Sequence, residues 1–251
     1  MIFRRLAQHL REQNWTAIAI EFVLLVLGVF LGIQVANWNE DRVERELVRG
    51  HLSEIAADLR RHNDLSADLD SSAKMRISAV DYIYREAFGT RLPTTLMLAK
   101  VEWKAPVVEP FPTEQLDQLM GSINLVRVSV RSRTGYESLM SSGRLGLIRN
   151  RELAMQIQKY FGDYDDLLDT QTQVFRTFRN HGAMKQYDLG VSTFDQRPAA
   201  EIVALARESK SFAAYLRSQR EWAILHANLL GNIDRDTRTL LAAIEKELQQ
   251  P

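Results

Sequence analysis

The titratable side chains able to do chemistry fall into a few groups. His51, Glu54, Asp58 and His62 stand at offsets of 3, 7 and 11, which on a helix puts them along one broad face. Imidazole and carboxylate are zinc-type ligands, but a closed site draws four ligands from converging elements, and one helix rarely supplies them all. The group is read as a solvated helix face. Asp163, Asp165, Asp166 and Asp169 form an acidic cluster. An EF-hand loop needs a Gly at its turn and a Glu at its end, and neither is placed here, so this cluster also reads as a solvated face. No metal ligand set and no cofactor is expected.

Arg144, Arg149 and Arg151 surround the next helix start. Helix N-termini favour anions, which makes the three arginines a candidate anion site. The competing reading is a capping turn in which Ser141 or Ser142 and Gly143 bend the chain. Gly143-Arg-Leu-Gly146 has no strand before it and is not a phosphate cradle. His181 and His226 have no serine or acid at a recognisable spacing, and no G-x-S-x-G, P-loop or H-E-x-x-H motif occurs. Cysteine is absent, which excludes disulfides, Cys-ligated zinc and thiol catalysis. No catalytic residue is named, and the chain is expected to be non-enzymatic.

One more carboxylate, Glu21, lies inside an apolar run. Thr16 to Ala36 reads TAIAIEFVLLVLGVFLGIQVA, and 21 residues of helix span roughly 30 Å, the thickness of a bilayer core. A signal peptide has a shorter apolar stretch and a small-x-small cleavage site. Cleavage after Ala36 would place Gln34 at −3, so the run is read as a retained transmembrane helix, residues 16–38. Trp15 and Trp38 frame it as an aromatic belt. Arg4, Arg5 and Arg11 precede it with only Glu12 opposing, so residues 1–15 are read as a basic cytoplasmic arm and residues 39–251 as an extracytoplasmic, periplasmic domain. The expected location is a bacterial inner membrane, single-pass.

On a helical wheel with Glu21 at zero, Gly28 falls at about −20°, Gly32 at about +20° and Asn39 at about 0°. Glu21 thus shares a stripe with a Gly-x-x-x-Gly pattern, which lets helices approach closely, while a carboxyl in lipid needs a partner. This predicts a helix interface of Glu21, Gly28, Gly32 and Asn39, with itself or with another membrane subunit. The alternative is that Glu21, about 7 Å inside the span, reaches back to water. Gln34 lies nearly opposite and either caps a second contact or sits at the outer interface.

The remaining elements must form the domain. Apolar or small residues at Val48, Leu52, Ile55, Leu59, Ser66, Leu69, Ala73, Ile77, Val80 and Tyr84 recur three or four apart, with one step of seven from Leu59 to Ser66, one buried helical face. Gly50 is a weak spot within it, and Gly89 and Pro93 end it. Residues 90–112 hold four prolines and a short extended piece at Leu96–Val108. Thr113 opens a short helix. Val126–Val130 alternates, but one strand makes no sheet, and it reads as a loop or helix start. Thr134–Ser142 is a helix stopped by Gly143; another runs from near Asn150 towards Tyr187; Ala199–Arg207 is short and Ser211–Gln249 long. The fold class is mainly α: an N-terminal transmembrane helix continuing into an antiparallel helical bundle. The 32 basic and 32 acidic residues cancel, which gives no basic excess for nucleic acid.

Two stretches carry a resemblance. Glu21-Phe-Val-Leu-Leu-Val-Leu-Gly28 is followed by Gln34-Val-Ala-Asn-Trp38-Asn39-Glu40, and Tyr136-Glu-Ser-Leu-Met-Ser-Ser-Gly143 by Leu147-Ile148-Arg-Asn150 and Glu152-Leu153. Together they resemble an uncharacterised family of bacterial single-span membrane proteins defined by a domain of unknown function. The resemblance covers the anchor and the middle helices. It implies a helical, anchored protein and no particular activity.

The leading expectation is a membrane-anchored scaffold or accessory subunit whose partners are the bilayer and itself or another membrane subunit. The alternative is an extracytoplasmic small-molecule sensor domain signalling through a partner, since the inner arm is too short to carry an output. A pilin-like subunit lacks the processing site before the span. An enzyme ranks last.

Overall fold

The computed structural model describes residues 15–98, 100–124, 126–127, 131–188, 190–192 and 196–250; the side chains of residues 15–19, 66 and 67 fall outside that description. The chain is mainly α-helical and divides into two compact units, Met1–Gly50 and His51–Pro251. The first helix, α1, runs over Trp15–Phe88 and supplies residues to both. Gly50 keeps helical backbone within it.

In the first unit, the segment from Ile20 onward has a mean hydropathy of 2.1 over its most apolar window, with none of that window buried. By length and composition it can cross a membrane.

In the second unit, this helical spacing forms the buried face that the sequence predicts. Leu52, Ile55, Leu59, Leu69, Ala73, Ile77, Val80 and Tyr84 are all buried. The helix stops where Gly89 takes φ +64° and its N–H returns to the Arg85 carbonyl (2.9 Å), a left-handed end that glycine adopts without strain.

The extended piece at Leu96–Val108 is a hairpin, β1 (Thr95–Leu98) and β2 (Val101–Lys104), paired antiparallel with Thr95 opposite Lys104 and Leu98 opposite Val101. The sequence shows an extended piece but no pairing, because the turn has none of the Asn-Gly or Asp-Gly chemistry that marks hairpins. Lys100 takes the positive φ (67°) instead. Leu96 and Trp103 pack on a small core of Ile77, Ala223 and Ile224, and that packing holds an otherwise marginal two-stranded sheet.

A 3-10 turn, Thr113–Gln118, leads into α2 (Leu119–Asn124), whose Leu119, Met120 and Ile123 are fully buried. Residues 126 and 127 have no regular structure, and the rest of the alternating Val126–Val130 stretch lies outside the described residues. Helix α3 (Thr134–Ser141) ends at Gly143, φ +69°. Helix α4 (Arg151–Asp169) is capped by Asn150, whose Oδ1 accepts the Leu153 N–H. It passes through a π-helical segment, Thr170–Phe175, into α5 (Arg176–Asp188). The sequence predicts one unbroken helix here; periodicity cannot show one widened turn. After α6 (Ala199–Glu208), α7 (Lys210–Leu248) starts at Ser209, whose Oγ accepts the Phe212 N–H.

Three long segments make the bundle. Arg60 meets Glu245, Arg76 meets Gln219 and Tyr84 meets the Ala213 carbonyl, so α1 and α7 run antiparallel. Asn150 meets Glu247, Tyr160 meets Thr237 and Gln171 meets His226, so the α4–π–α5 segment is also antiparallel to α7. The short helices plug the ends: Ile202, Val203 and Ala206 of α6 join Ala79, Ile83, Phe212 and Leu216 in the main core.

Helix α3 touches α1 backbone to backbone. A Cβ at Gly135 would lie 2.6 Å from the Ile55 nitrogen and 2.8 Å from the Glu54 carbonyl carbon, contacts that backbone atoms cannot relieve. Gly135→Ala is expected to cost about 1–3 kcal/mol by forcing the helices apart, read as a lower denaturation midpoint at unchanged slope.

Candidate functional site

Two buried polar layers cross the bundle, and they differ in how well their groups are matched. The first is built on Asp58 and His62, one helical turn apart on α1. The sequence reading of this group as a solvated face is corrected here: Asp58 is 1% and His62 0% exposed, because the segment before α3 folds over them. Asp58 accepts the Gly135 N–H at its Oδ2 (3.1 Å) and pairs through Oδ1 with Arg61. Burial pushes its pKa up, but hydrogen bonds from Ser132, the Gly135 amide and Arg61 outweigh it and hold the carboxyl below its ordinary value. His51 and Glu54, a turn earlier, are respectively half-buried and exposed.

His62 Nε2 lies 2.7 Å from the Ser132 carbonyl. A carbonyl only accepts, so Nε2 carries the proton and Nδ1 accepts from the Tyr160 hydroxyl (3.0 Å). Tyr160 also lies 2.9 Å from Thr237 Oγ1 on α7. Beside it, Arg131 donates through Nη2 to Asp234 Oδ1 (3.2 Å), gives its backbone N–H to the Tyr164 hydroxyl (2.7 Å) and lies over the Tyr164 ring. Burial raises the pKa of both tyrosines. Every charge in this layer has a partner. Its chemistry is that of a clasp holding three helices and the segment before α3 together.

The second layer lies further along α1, at Arg76. This side chain is 1% exposed and donates from Nε to the Ile123 carbonyl (3.3 Å) and from Nη2 to Gln219 Oε1 (3.0 Å). Burial lowers its pKa to about 10. Tyr215 donates to Asn124 Oδ1 (2.5 Å). His226, 0% exposed, has Nε2 3.0 Å from the Gln171 amide nitrogen and packs against Phe175. Gln171 and Phe175 are both buried within the π segment, whose wide turn brings them onto α7; such turns recur at functional sites.

Next to this layer, a cavity of about 480 Å³ is lined by Val126, Gln171, Arg176 and Arg179. A second, more apolar cavity of about 290 Å³ lies between the hairpin and α7, with Trp103 and Trp222 in its wall.

Glu21, Gly28, Gly32, Gln34, Trp38 and Asn39 are all exposed, and a Cβ on either glycine meets nothing within 4 Å. Arg4, Arg5 and the Trp15 side chain lie outside the described residues. Arg144 is half-buried on a 3-10 turn (Arg144–Leu147), and Arg149 and Arg151 are exposed. At the same helix start Asn150 donates to the Glu247 carboxylate (2.9 Å), which already brings negative charge there. Asp163 pairs with Lys159 and Asp165 with Arg133. Among the described residues no group of three or more metal-ligating side chains assembles.

Sequence reasoning missed Arg76, Arg131, Tyr160, Gln171, Gln219 and Thr237. A signal existed for Arg76: it falls within the buried stripe of Ala73, Ile77 and Val80, where a charged side chain has to be explained. The others depend on tertiary partners. Compared with protein-family models, with curated proteins and with solved structures, the chain has no match.

His62 and His226 give the fold a pH dependence. Burial brings both to about 4 from an ordinary 6.5. Between those values the unfolded chain takes up protons that the folded chain refuses, so their contribution is complete above about pH 6.5 and disappears as pH falls towards 4. The melting temperature should be level above about pH 7 and decline from 6.5 to 4, each histidine contributing on the order of 1.4 kcal/mol per pH unit. His226→Gln should flatten part of that slope, followed by circular dichroism. A level or rising profile in that window would show that the histidines are not buried as neutral groups.

Proposed function

We propose that this protein is a membrane-anchored helical scaffold or accessory subunit of a membrane assembly, non-enzymatic, with the transmembrane helix continuing into a helical bundle on the periplasmic side of a bacterial inner membrane. The basic arm before the span supports the orientation, with the N-terminus cytoplasmic. The uncharacterised single-span family that the Glu21–Glu40 and Tyr136–Leu153 stretches resemble fits the same description.

The observation that carries the reading is the bareness of the apolar segment. Phe22, Leu24, Leu25, Phe30, Leu31 and Val35 are each more than half exposed, a continuous apolar surface far beyond what water tolerates on a monomer. Lipid covers most of it. The Glu21–Gly28–Gly32 stripe is the part shaped for another helix, because two bare glycines one turn apart permit close backbone approach and a neighbouring helix can give the carboxyl a hydrogen bond. A second reading, a sensor domain that reports through a partner, is favoured by the polar cavity beside Gln171.

Crosslinking in the native membrane, extraction in mild detergent and mass spectrometry of the products test the proposal. The wild-type chain should yield a self-multimer or a partner at fixed ratio. Gly28→Leu/Gly32→Leu should reduce that product about tenfold, roughly 1.4 kcal/mol of association. An unchanged product would remove the stripe from the proposal, and absence of any defined product would overturn the assembly itself.

A further inference from the structure

The Arg76 layer is short of acceptors. Arg76 Nη1 is buried with no hydrogen-bond partner, and among the described residues no carboxylate pairs with this guanidinium. His226 is in the same condition. The Gln171 amide donates to Nε2, so the ring proton belongs on Nδ1, and Nδ1 is buried with no acceptor. Gln219 Nε2, beside Arg76, is buried without a hydrogen-bond partner as well, so the layer holds a full positive charge and three unmatched donors. Burying such groups is costly unless something supplies the acceptor.

The cavity next to it has the matching character. Gln171 is common to both, binding His226 and lining the cavity. Among the described residues of its wall, the charged ones, Arg176 and Arg179, are both guanidinium groups, one exposed and one half-buried on the first turn of α5. Its volume, about 480 Å³, lies within the range of small-molecule sites. Like charges placed together around a concave surface repel one another until an anion enters, and guanidinium forks suit carboxylate and phosphate oxygens.

We propose that this cavity binds a small anion carrying carboxylate or phosphate groups. Arg176 and Arg179 grip its charged end, and Gln171, turned inward by the π segment, meets its inner end. The bound anion sets negative charge against the layer that holds Arg76 and His226. The inference rests on the cavity and not on membrane placement or assembly, so it can fail independently of them.

The test is the melting temperature of the full chain in detergent, titrated with sodium citrate and, separately, sodium phosphate, against sodium chloride at equal ionic strength. A saturable rise of roughly 5–10 °C at about a hundredfold excess over Kd is expected with at least one anion, and the responding salt tells carboxylate from phosphate recognition. Arg176→Ala/Arg179→Ala should melt within a few degrees of wild type without anion and lose the rise. Should that variant fail to fold, Arg179→Gln alone should still weaken the response at least threefold. The proposal is overturned if neither anion exceeds the chloride control, or if the response survives undiminished in the variants.

Discussion

A carboxylate buried on a helix has to be answered by donors from somewhere else, and Asp58 recruits them from the start of α3 and the residues just before it. The Gly135 N–H reaches its Oδ2 only because Gly135 has no Cβ to hold the two backbones apart. With α3 seated, the Ser132 carbonyl is in place for His62, Tyr160 closes on the other ring nitrogen, and Arg131 reaches Asp234 on α7. The long helices could associate through apolar faces alone; their relative register is set by this sequence of polar demands, each satisfied by the next. Tyr136 stacked on Phe161 at 4.1 Å covers one side of the junction.

The contrast between the two polar layers is the most informative feature of the molecule. One layer contains acids, bases and carbonyls in balance. The other contains donors in excess and lies beside a cavity to which Arg176 and Arg179 contribute. Polar groups buried purely to fix a fold have partners within the fold. A layer whose deficit has one sign is better understood as half of an interaction.

Much of the architecture was legible because the apolar spacing is regular. The stripe from Leu52 to Tyr84, the helix start near Asn150, the Gly143 stop and the helix start at Ala199 all follow from local rules that tertiary structure did not override. The hairpin at Thr95–Lys104 was not legible as a pair, since Lys100 occupies a turn position that glycine or asparagine usually marks. The π segment was invisible because one widened turn shifts the apolar phase by less than the pattern's own irregularity. The polar layers escaped for a different reason. Asp58, three residues after Ile55, and His62, three after Leu59, lie along the apolar stripe, but a carboxylate and an imidazole read as solvated until residues 131–135 fold over them. Arg76, three residues after Ala73 and four before Val80, likewise stood where its neighbours in sequence already implied burial.

The order of the helices along the chain has a consequence for how the protein is made. Helix α7 contacts α1 through Arg76–Gln219 and Tyr84–Ala213 and α4 through Tyr160–Thr237, yet it is the last helix of the described chain to be synthesised. Until it emerges, the buried faces of α1 and α4 have no third wall, and the contacts that complete the core join residues 77 to 143 positions apart. At ribosomal speeds of about 5–20 residues per second, that leaves the early helices waiting for several seconds with their apolar sides open. If the first helix has by then been taken up by a bilayer, the waiting chain is tethered at one end. Tethering limits the encounters through which exposed helices of different molecules would otherwise find each other before α7 arrives.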